Sequence, residues 1–196
     1  MLQAPETLTR IDFLELTPYQ EIFYNEWLLN PQRTDYIMIM DQLVAGPLDL
    51  TRAGNSVRIL VNSYRLMSSN VKKTGTKVGW VRRGPIAPDD YMRLHEELEE
   101  DQILELVQRP FDLENDVLTR MHIIKLKNGH FRVITMLHHI LIDGLSCKAV
   151  YDQMELFYND VQHTHPQSLE EQEHLHQKLA ADLNKILTEN RSRYCH

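Results

Sequence analysis

Cysteine is nearly absent: Cys147 and Cys195 are the only two in 196 residues. Two thiols cannot make a disulfide framework, so a reducing, cytoplasmic setting is expected. Long apolar runs are missing as well, and none approaches the roughly 18 residues of a membrane span. Residues 1–10 carry no basic patch followed by an apolar stretch, so no signal peptide is expected. There is no basic excess: 21 Lys and Arg stand against 28 Asp and Glu, a net charge of -7. Nucleic-acid binders usually read basic, so neither nucleic acid nor membrane is expected as a partner. Internal repeats and low-complexity tracts are absent too. What remains is 42% hydrophobic and 25% charged, a globular composition that excludes disordered and fibrous classes. The length allows one domain of about 100–200 residues with a real core.

Charge is segregated along the chain. Residues 51–88 hold eight basic side chains, Arg82 and Arg83 among them, and no acid. Residues 91–116 hold nine acids against Arg93 and Arg109. One reading is two solvated faces that attract each other; the other is a basic patch that steers an acidic partner.

Periodicity and capping signals divide the chain into helices and strands. Thr17-Pro18-Tyr19-Gln20 has the form of a capping box with proline at the first helical position. Ile22, Phe23 and Trp27 follow at helical spacing, predicting a helix to about residue 29, before Pro31. Residues 36–44 read as a strand. Asp49 can cap a second helix with an apolar stripe from Leu50 to Met67, locally weakened by Gly54 and Asn55. Residues 76–82 read as a strand, and Pro88 opens a third, acidic helix through about residue 107. Strands over 120–127 and 131–138 flank Asn128-Gly129, a strong hairpin signal. Residues 145–159 are amphipathic and helical. After Pro166, residues 169–190 form a long polar helix, more connector than core. Helices alternating with β-segments predict an α/β (α+β) chain, a mixed sheet covered by helices.

The most informative segment is His138-His139-Ile140-Leu141-Ile142-Asp143-Gly144, at the end of an apolar strand and ahead of a helix. Alternation puts the two histidines on opposite faces, so only one can point into a given cleft. Paired histidines at a strand end can supply a general base or a metal site, or be satisfied by backbone. Asp143 can hold the loop closed or pair with a cation, and Gly144 would permit the turn. No metal is expected, because His163, His165, His174 and His176 sit in a polar region without a cysteine cluster. Ser146 and Cys147 lack the Gly-flanked elbow of a hydrolase nucleophile, and Cys147 is expected at a buried helix surface.

The pattern His-His-x-x-x-Asp-Gly resembles the signature of condensation domains of nonribosomal peptide synthetases and related acyltransferases. Three further segments match in the family's order: Leu16-Thr17-Pro18-Tyr19-Gln20, Gly46-Pro47-Leu48-Asp49 and Arg109-Pro110-Phe111-Asp112-Leu113. The resemblance implies a chloramphenicol-acetyltransferase-like lobe over residues 1–165. Residues 166–196 would be a connector helix leading to a second lobe that the chain does not contain. It implies an acyltransferase that forms an amide bond between a carrier-bound acyl donor and a carrier-bound amine, in a tunnel between two lobes. His139 would be base or positioning group, His138 and Asp143 architectural, and Gly144 would let backbone approach the reacting centre. Donor and acceptor carrier proteins would be partners, their phosphopantetheine thioesters the substrates, with no cofactor bound by the lobe. The short lead before Leu16 suggests a domain at the front of its polypeptide.

Two departures stand out. Arginines that the family carries at the end of the second helix are replaced by Ser63 and Ser68, with Arg65 as a substitute cation turned by about 200° on a helix of 3.6 residues per turn. The second lobe is missing, so the isolated chain is expected to fold with little or no condensation activity. A catalytically degenerate lobe that docks carrier proteins, with Arg82 and Arg83 as docking cations, is one alternative. An ester-forming or epimerising relative is another.

Overall fold

The computed structural model describes residues 13–144, 146–159 and 169–194. Two sheets organise them. Strands β1 (Phe13–Glu15), β3 (Ser69–Thr74) and β4 (Lys77–Arg82) form an antiparallel three-stranded sheet in the order β1-β4-β3. Strands β2 (Ile37–Val44), β5 (Met92–His95), β6 (Thr119–Lys125) and β7 (Phe131–His138) form the larger sheet, in the order β2-β7-β6-β5. Its β5–β6 pair is parallel and the others antiparallel, so this sheet is mixed.

Helix α1 (Pro18–Leu29) starts as its sequence dictates. The Thr17 hydroxyl accepts the Gln20 N–H at 3.3 Å while Gln20 Oε1 accepts the Thr17 N–H at 3.0 Å, satisfying two donors that a helix start leaves open. The buried face is Gln20, Phe23 and Tyr24; Ile22, expected on the apolar stripe, points outward. Helix α2 (Leu50–Ser63) is capped by Asp49, whose Oδ1 accepts the Arg52 N–H at 3.0 Å. The apolar stripe runs further than the helix. Tyr64 is its C-cap, and Arg65–Met67 lie in the turn that follows.

The acidic segment departs most from expectation. In place of one helix from Pro88 to Val107 there is a single turn α3 (Pro88–Tyr91), then β5, then α4 (Glu100–Val107). The cause is tertiary. Six of the seven residues of β6 are buried, and the strand needs hydrogen-bonding partners on the edge that β7 leaves open. Met92–His95 supply them, paired with Met121–Ile124, which overrides the weak local preference for helix. Strands β1 and β3 had no clear sequence signal. β1 spans three residues, and β3 lies inside the basic stretch. Gly79 admits β1: a Cβ there would come within 2.6 Å of the Leu14 carbonyl oxygen and the Phe13 ring.

The segregated charges do not meet each other in the way the pattern suggested. Glu97 and Glu100 of the acidic stretch pair with Lys127 (2.8 Å) and Arg132 (2.7 Å), on and beside the β6–β7 hairpin. Helix α5 (Ser146–Tyr158) packs against α2. Helix α6 (Leu169–Tyr194) docks its first turns on the rest of the described chain. Gln172 Oε1 accepts the Arg65 N–H at 2.9 Å, Gln172 Nε2 donates to the Ser63 carbonyl at 3.0 Å, and His176 Nε2 donates to the Glu15 carbonyl at 2.9 Å. Residues 160–168, with His163, His165 and the expected boundary at 165, lie outside the described residues, as does Cys195.

Candidate active site

β7 ends at His138, and the chain turns sharply there. His138 keeps the strand's alternation, on the face of Ile134 and Met136, and is 4% exposed. Its Nδ1 accepts the Ile140 N–H at 3.1 Å, and its ring lies edge-on to Phe23, Tyr36 and Phe111. Burial pushes His138 down to about 4, with repulsion from His139 adding to the shift and Asp35 opposing it. A neutral imidazole that serves as backbone acceptor inside an aromatic cage is a structural group.

His139 leaves the strand. Its backbone N–H donates to the Tyr36 carbonyl at 2.8 Å, and its ring stacks on Phe23 with centroids 5.1 Å apart and planes 23° from parallel. The side chain is half-buried, unlike Thr135 and Leu137 on the strand before it. Gln20 completes the turn. Its Nε2 donates to the Ile140 carbonyl at 3.2 Å, while its Oε1 also accepts from Trp80 Nε1 at 3.2 Å. Ile140, the residue after His139, is thus held at its N–H by His138 and at its carbonyl by Gln20, and the imidazole of His139 rests on an aromatic platform.

Asp143 begins the next helix. Its Oδ1 accepts both the N–H and the hydroxyl of Ser146 at 2.8 Å, so it acts as a helix-starting side chain. Gly144 is not in the left-handed region, and a Cβ there would meet nothing within 4 Å. The turn therefore does not require glycine, a correction to the conformational reading; the space before it is open. Cys147 is half-buried, with its thiol raised by burial and by the nearby Asp143 carboxylate, the opposite of an activated nucleophile.

Arg65 is 3% exposed. Because α2 ends at Ser63, the 200° offset along a helix does not apply. The turn after the helix aims Arg65 at a cavity of about 370 Å³, lined also by Leu141, Ile142, Ser146, Gln172 and His176. Arg65 and the residues flanking Asp143 therefore share one cavity. Ser68 is buried and closes the turn, its hydroxyl donating to the Tyr64 and Arg65 carbonyls at 3.1 Å.

The family model of the condensation domain matches residues 10–193. The chain belongs to the condensation-domain family. Gramicidin S synthase 2 of Aneurinibacillus migulanus is 26% identical over 159 residues, 81% of this chain and 4% of that synthase. Tyrocidine synthase 2 of Brevibacillus parabrevis is 28% identical over 134 residues, 67% of this chain and 4% of the synthase. Among solved structures, the starter condensation domain of the rhizomide synthetase superposes with a TM-score of 0.66 at 13% identity, over 76% of this chain and 38% of that one. The first condensation domain of the CDA synthetase gives 0.64 at 19% identity, over 79% and 41%. These likenesses establish the fold, α+β with mixed sheets and helices as in the chloramphenicol-acetyltransferase class. The chain spans about 4% of each of these synthases and about two fifths of the solved condensation domains.

In this condensation-domain chain two of the other motif segments, 16–20 and 109–113, pack on the histidine turn. Phe111 is 2% exposed, its ring lies against His138, and its carbonyl accepts from Trp27 Nε1 at 3.0 Å. Arg120 covers the Phe111 ring at 3.9 Å and holds the Arg109 and Pro110 carbonyls at 2.6 and 2.7 Å. Arg120 and the Gln20–Ile140 link were not singled out from sequence, and Phe23 was read only as part of the helix stripe; the position of Gln20 inside a motif segment was the one available signal for the site. Arg82 is exposed, whereas Arg83 is committed, with its Nη1 donating to Asn70 Oδ1 at 2.9 Å and the Asn115 carbonyl at 2.7 Å. Arg83 therefore fastens β3 to the loop before β6 and is poorly placed for docking. His174 is exposed, as expected for a solvated residue. His176 is not: burial lowers it, and it is fixed on β1. Among the described residues no group of three His, Cys, Asp or Glu is placed to hold a metal. Nor is any helix among them long and apolar enough to cross a membrane.

Proposed function

We propose that this chain is the N-terminal lobe of a nonribosomal peptide synthetase condensation domain, forming an amide bond between a carrier-bound acyl donor and a carrier-bound amine. Residues 1–165 make the lobe, and residues 166–196 lead to a second lobe that completes the tunnel. The observation that carries the reading is the division of labour between the two histidines. His138 is buried and spent on the Ile140 N–H, whereas His139 is half-exposed on a rigid turn. His139 accepts the proton of the attacking amine or orients that amine on the thioester carbonyl. Asp143 keeps the loop attached to α5, and Arg65 is the cation that supports it in place of the arginines replaced by Ser63 and Ser68. The open space before Gly144 suits close approach of the thioester. The substrates are phosphopantetheine thioesters of donor and acceptor carrier proteins, and the lobe itself needs no cofactor. Arg82, exposed where Arg83 is committed, is the docking cation.

The test is His139→Ala in the full synthetase polypeptide that contains this lobe, with product formation followed by mass spectrometry. A general base or positioning group of this kind is worth about 10²- to 10⁴-fold, so product should fall by that factor. Unchanged product formation would sink the catalytic reading and favour a degenerate docking lobe, for which the serines at positions 63 and 68 already speak. An ester or an epimerised product would identify the corresponding relative.

A further inference from the structure

Arg93 and Arg109 are the two cations of an otherwise acidic stretch, and the fold brings both to one place. They line a polar cavity of about 90 Å³ together with Arg120, His122, Asp90 and Asp116. That volume comfortably exceeds the roughly 10–15 Å³ a single water needs. The cavity lies where β5 and α3 meet the segment before β6, at the sheet edge opposite β2.

Three arginines from separate parts of the chain line the cavity, with two carboxylates among them. Asp116 Oδ2 accepts from Arg120 Nη2 at 2.7 Å and from the Asp112 N–H at 3.2 Å, and Asp90 Oδ2 accepts the Ala87 N–H at 2.8 Å. Arg120 is held in place by its carbonyl partners and by Phe111. Arg93 Nη1 donates to the Asp89 and Met92 carbonyls, leaving its charge without a carboxylate among the described residues, and Arg109 is exposed at the rim. His122 is 7% exposed, and its Nδ1 is 3.0 Å from His95 Nε2, so Nε2 is the ring nitrogen left for a ligand. His122 is lowered to about 4, chiefly by burial, with His95, Arg120, Arg93 and Arg109 contributing in the same direction. The lining thus carries more arginines than carboxylates, inside a segment whose overall charge is negative.

We infer that this cavity is a binding site for a phosphate group, held by the guanidinium groups of Arg93, Arg109 and Arg120 with His122 as a neutral donor. Guanidinium forks match tetrahedral oxyanions, and donors arriving from three chain segments suit such an ion better than a planar carboxylate. The site meets the histidine turn only through Arg120, which also covers Phe111; a binding measurement does not read condensation, so its failure is distinguishable from failure of the condensation reading.

The test is a titration of the full chain, followed through the arginine Nε–H and histidine ring signals by NMR, with inorganic phosphate and separately with 4′-phosphopantetheine. Saturable shifts of Arg93, Arg109 and His122 are expected, with affinity weakened at least about tenfold in Arg109→Gln and unchanged in the distant Lys148→Gln. Tighter binding of phosphopantetheine than of phosphate would assign the site to a carrier arm. Equal or weaker binding would assign it to free phosphate. Absence of a saturable response in those signals, or equal binding by Arg109→Gln and Lys148→Gln, would overturn the inference.

Discussion

Acid should weaken this fold well before its carboxylates titrate, because two histidines are buried neutral. His122 and His138 are 7% and 4% exposed, and both are pushed down to about 4 from an ordinary value of 6.5, chiefly by burial. Near His138 stand His139, which adds to the shift, and Asp35, which opposes it; near His122 stand His95 and three arginines, all adding to it. A proton that the unfolded chain accepts at 6.5 and the folded chain refuses until about 4 favours unfolding as the pH falls. The stability is therefore complete above pH 6.5, is lost as the pH drops through 6.5, and levels off below about 4. One pKa unit is about 1.36 kcal/mol, so each histidine costs ~2 kcal/mol at pH 5 and the two together ~4 kcal/mol. Against a total of about 5–15 kcal/mol that is a large fraction. His95 and His176 are lowered too and act in the same direction.

Urea denaturation at pH 7 and pH 5 measures the loss directly. His122→Asn and His138→Asn keep an acceptor near the position of Nδ1 but cannot titrate. Each variant should be weaker at pH 7, yet lose ~2 kcal/mol less than the parent between the two pH values. A parent loss below ~1 kcal/mol, or variants whose loss equals the parent's, would refute the reasoning.

Two substitutions probe the scaffold behind the turn. Gly79→Ala places a Cβ within 2.6 Å of the Leu14 carbonyl oxygen and the Phe13 ring, so β1 must shift; overpacking of this kind costs about 1–3 kcal/mol, and a thermal midpoint within about 1 °C of the parent would contradict the contact. Gln20→Ala strands the Thr17 N–H, the Trp80 indole N–H and the Ile140 carbonyl together; at about 1 kcal/mol each the midpoint should fall by roughly 6–12 °C, and a drop under about 2 °C would show that the carboxamide is not the hub described.

What the chain announced in advance was whatever depends on neighbours in sequence. The Thr17–Gln20 capping box, the Asp49 cap and the Asn128-Gly129 hairpin are local chemistry, and the elements they start or join stand where expected. What stayed hidden depends on distant partners. Residues 92–95 read as helix from their own composition and become strand only because β6 has an open edge. Arg65 read as a helix residue, but the helix ends two positions earlier, at Ser63, and the turn redirects it. Arg82 and Arg83 look equivalent in sequence; Asn70 and Asn115, on separate segments, tell them apart. At the candidate site the paired histidines were legible as a motif, but which one is buried follows from Phe23, Tyr36 and Phe111, three aromatics far apart in the chain.

Under the proposed function, the hydrogen bonds around His139 bear on what a second lobe would have to contribute. The His139 N–H is fixed by Tyr36, the following N–H by His138, and the following carbonyl by Gln20, all within this chain. The ring has its platform in Phe23. The contacts that orient the imidazole all come from this chain, and under the proposed function that orientation is set before substrate arrives. Its ring is nevertheless half-exposed, so water reaches it as readily as an amine would. Under the proposed function, a covering lobe adds the walls that exclude water and hold two substrates within reach of one nitrogen. Positioning of that kind is the term that turns a preformed base into a catalyst.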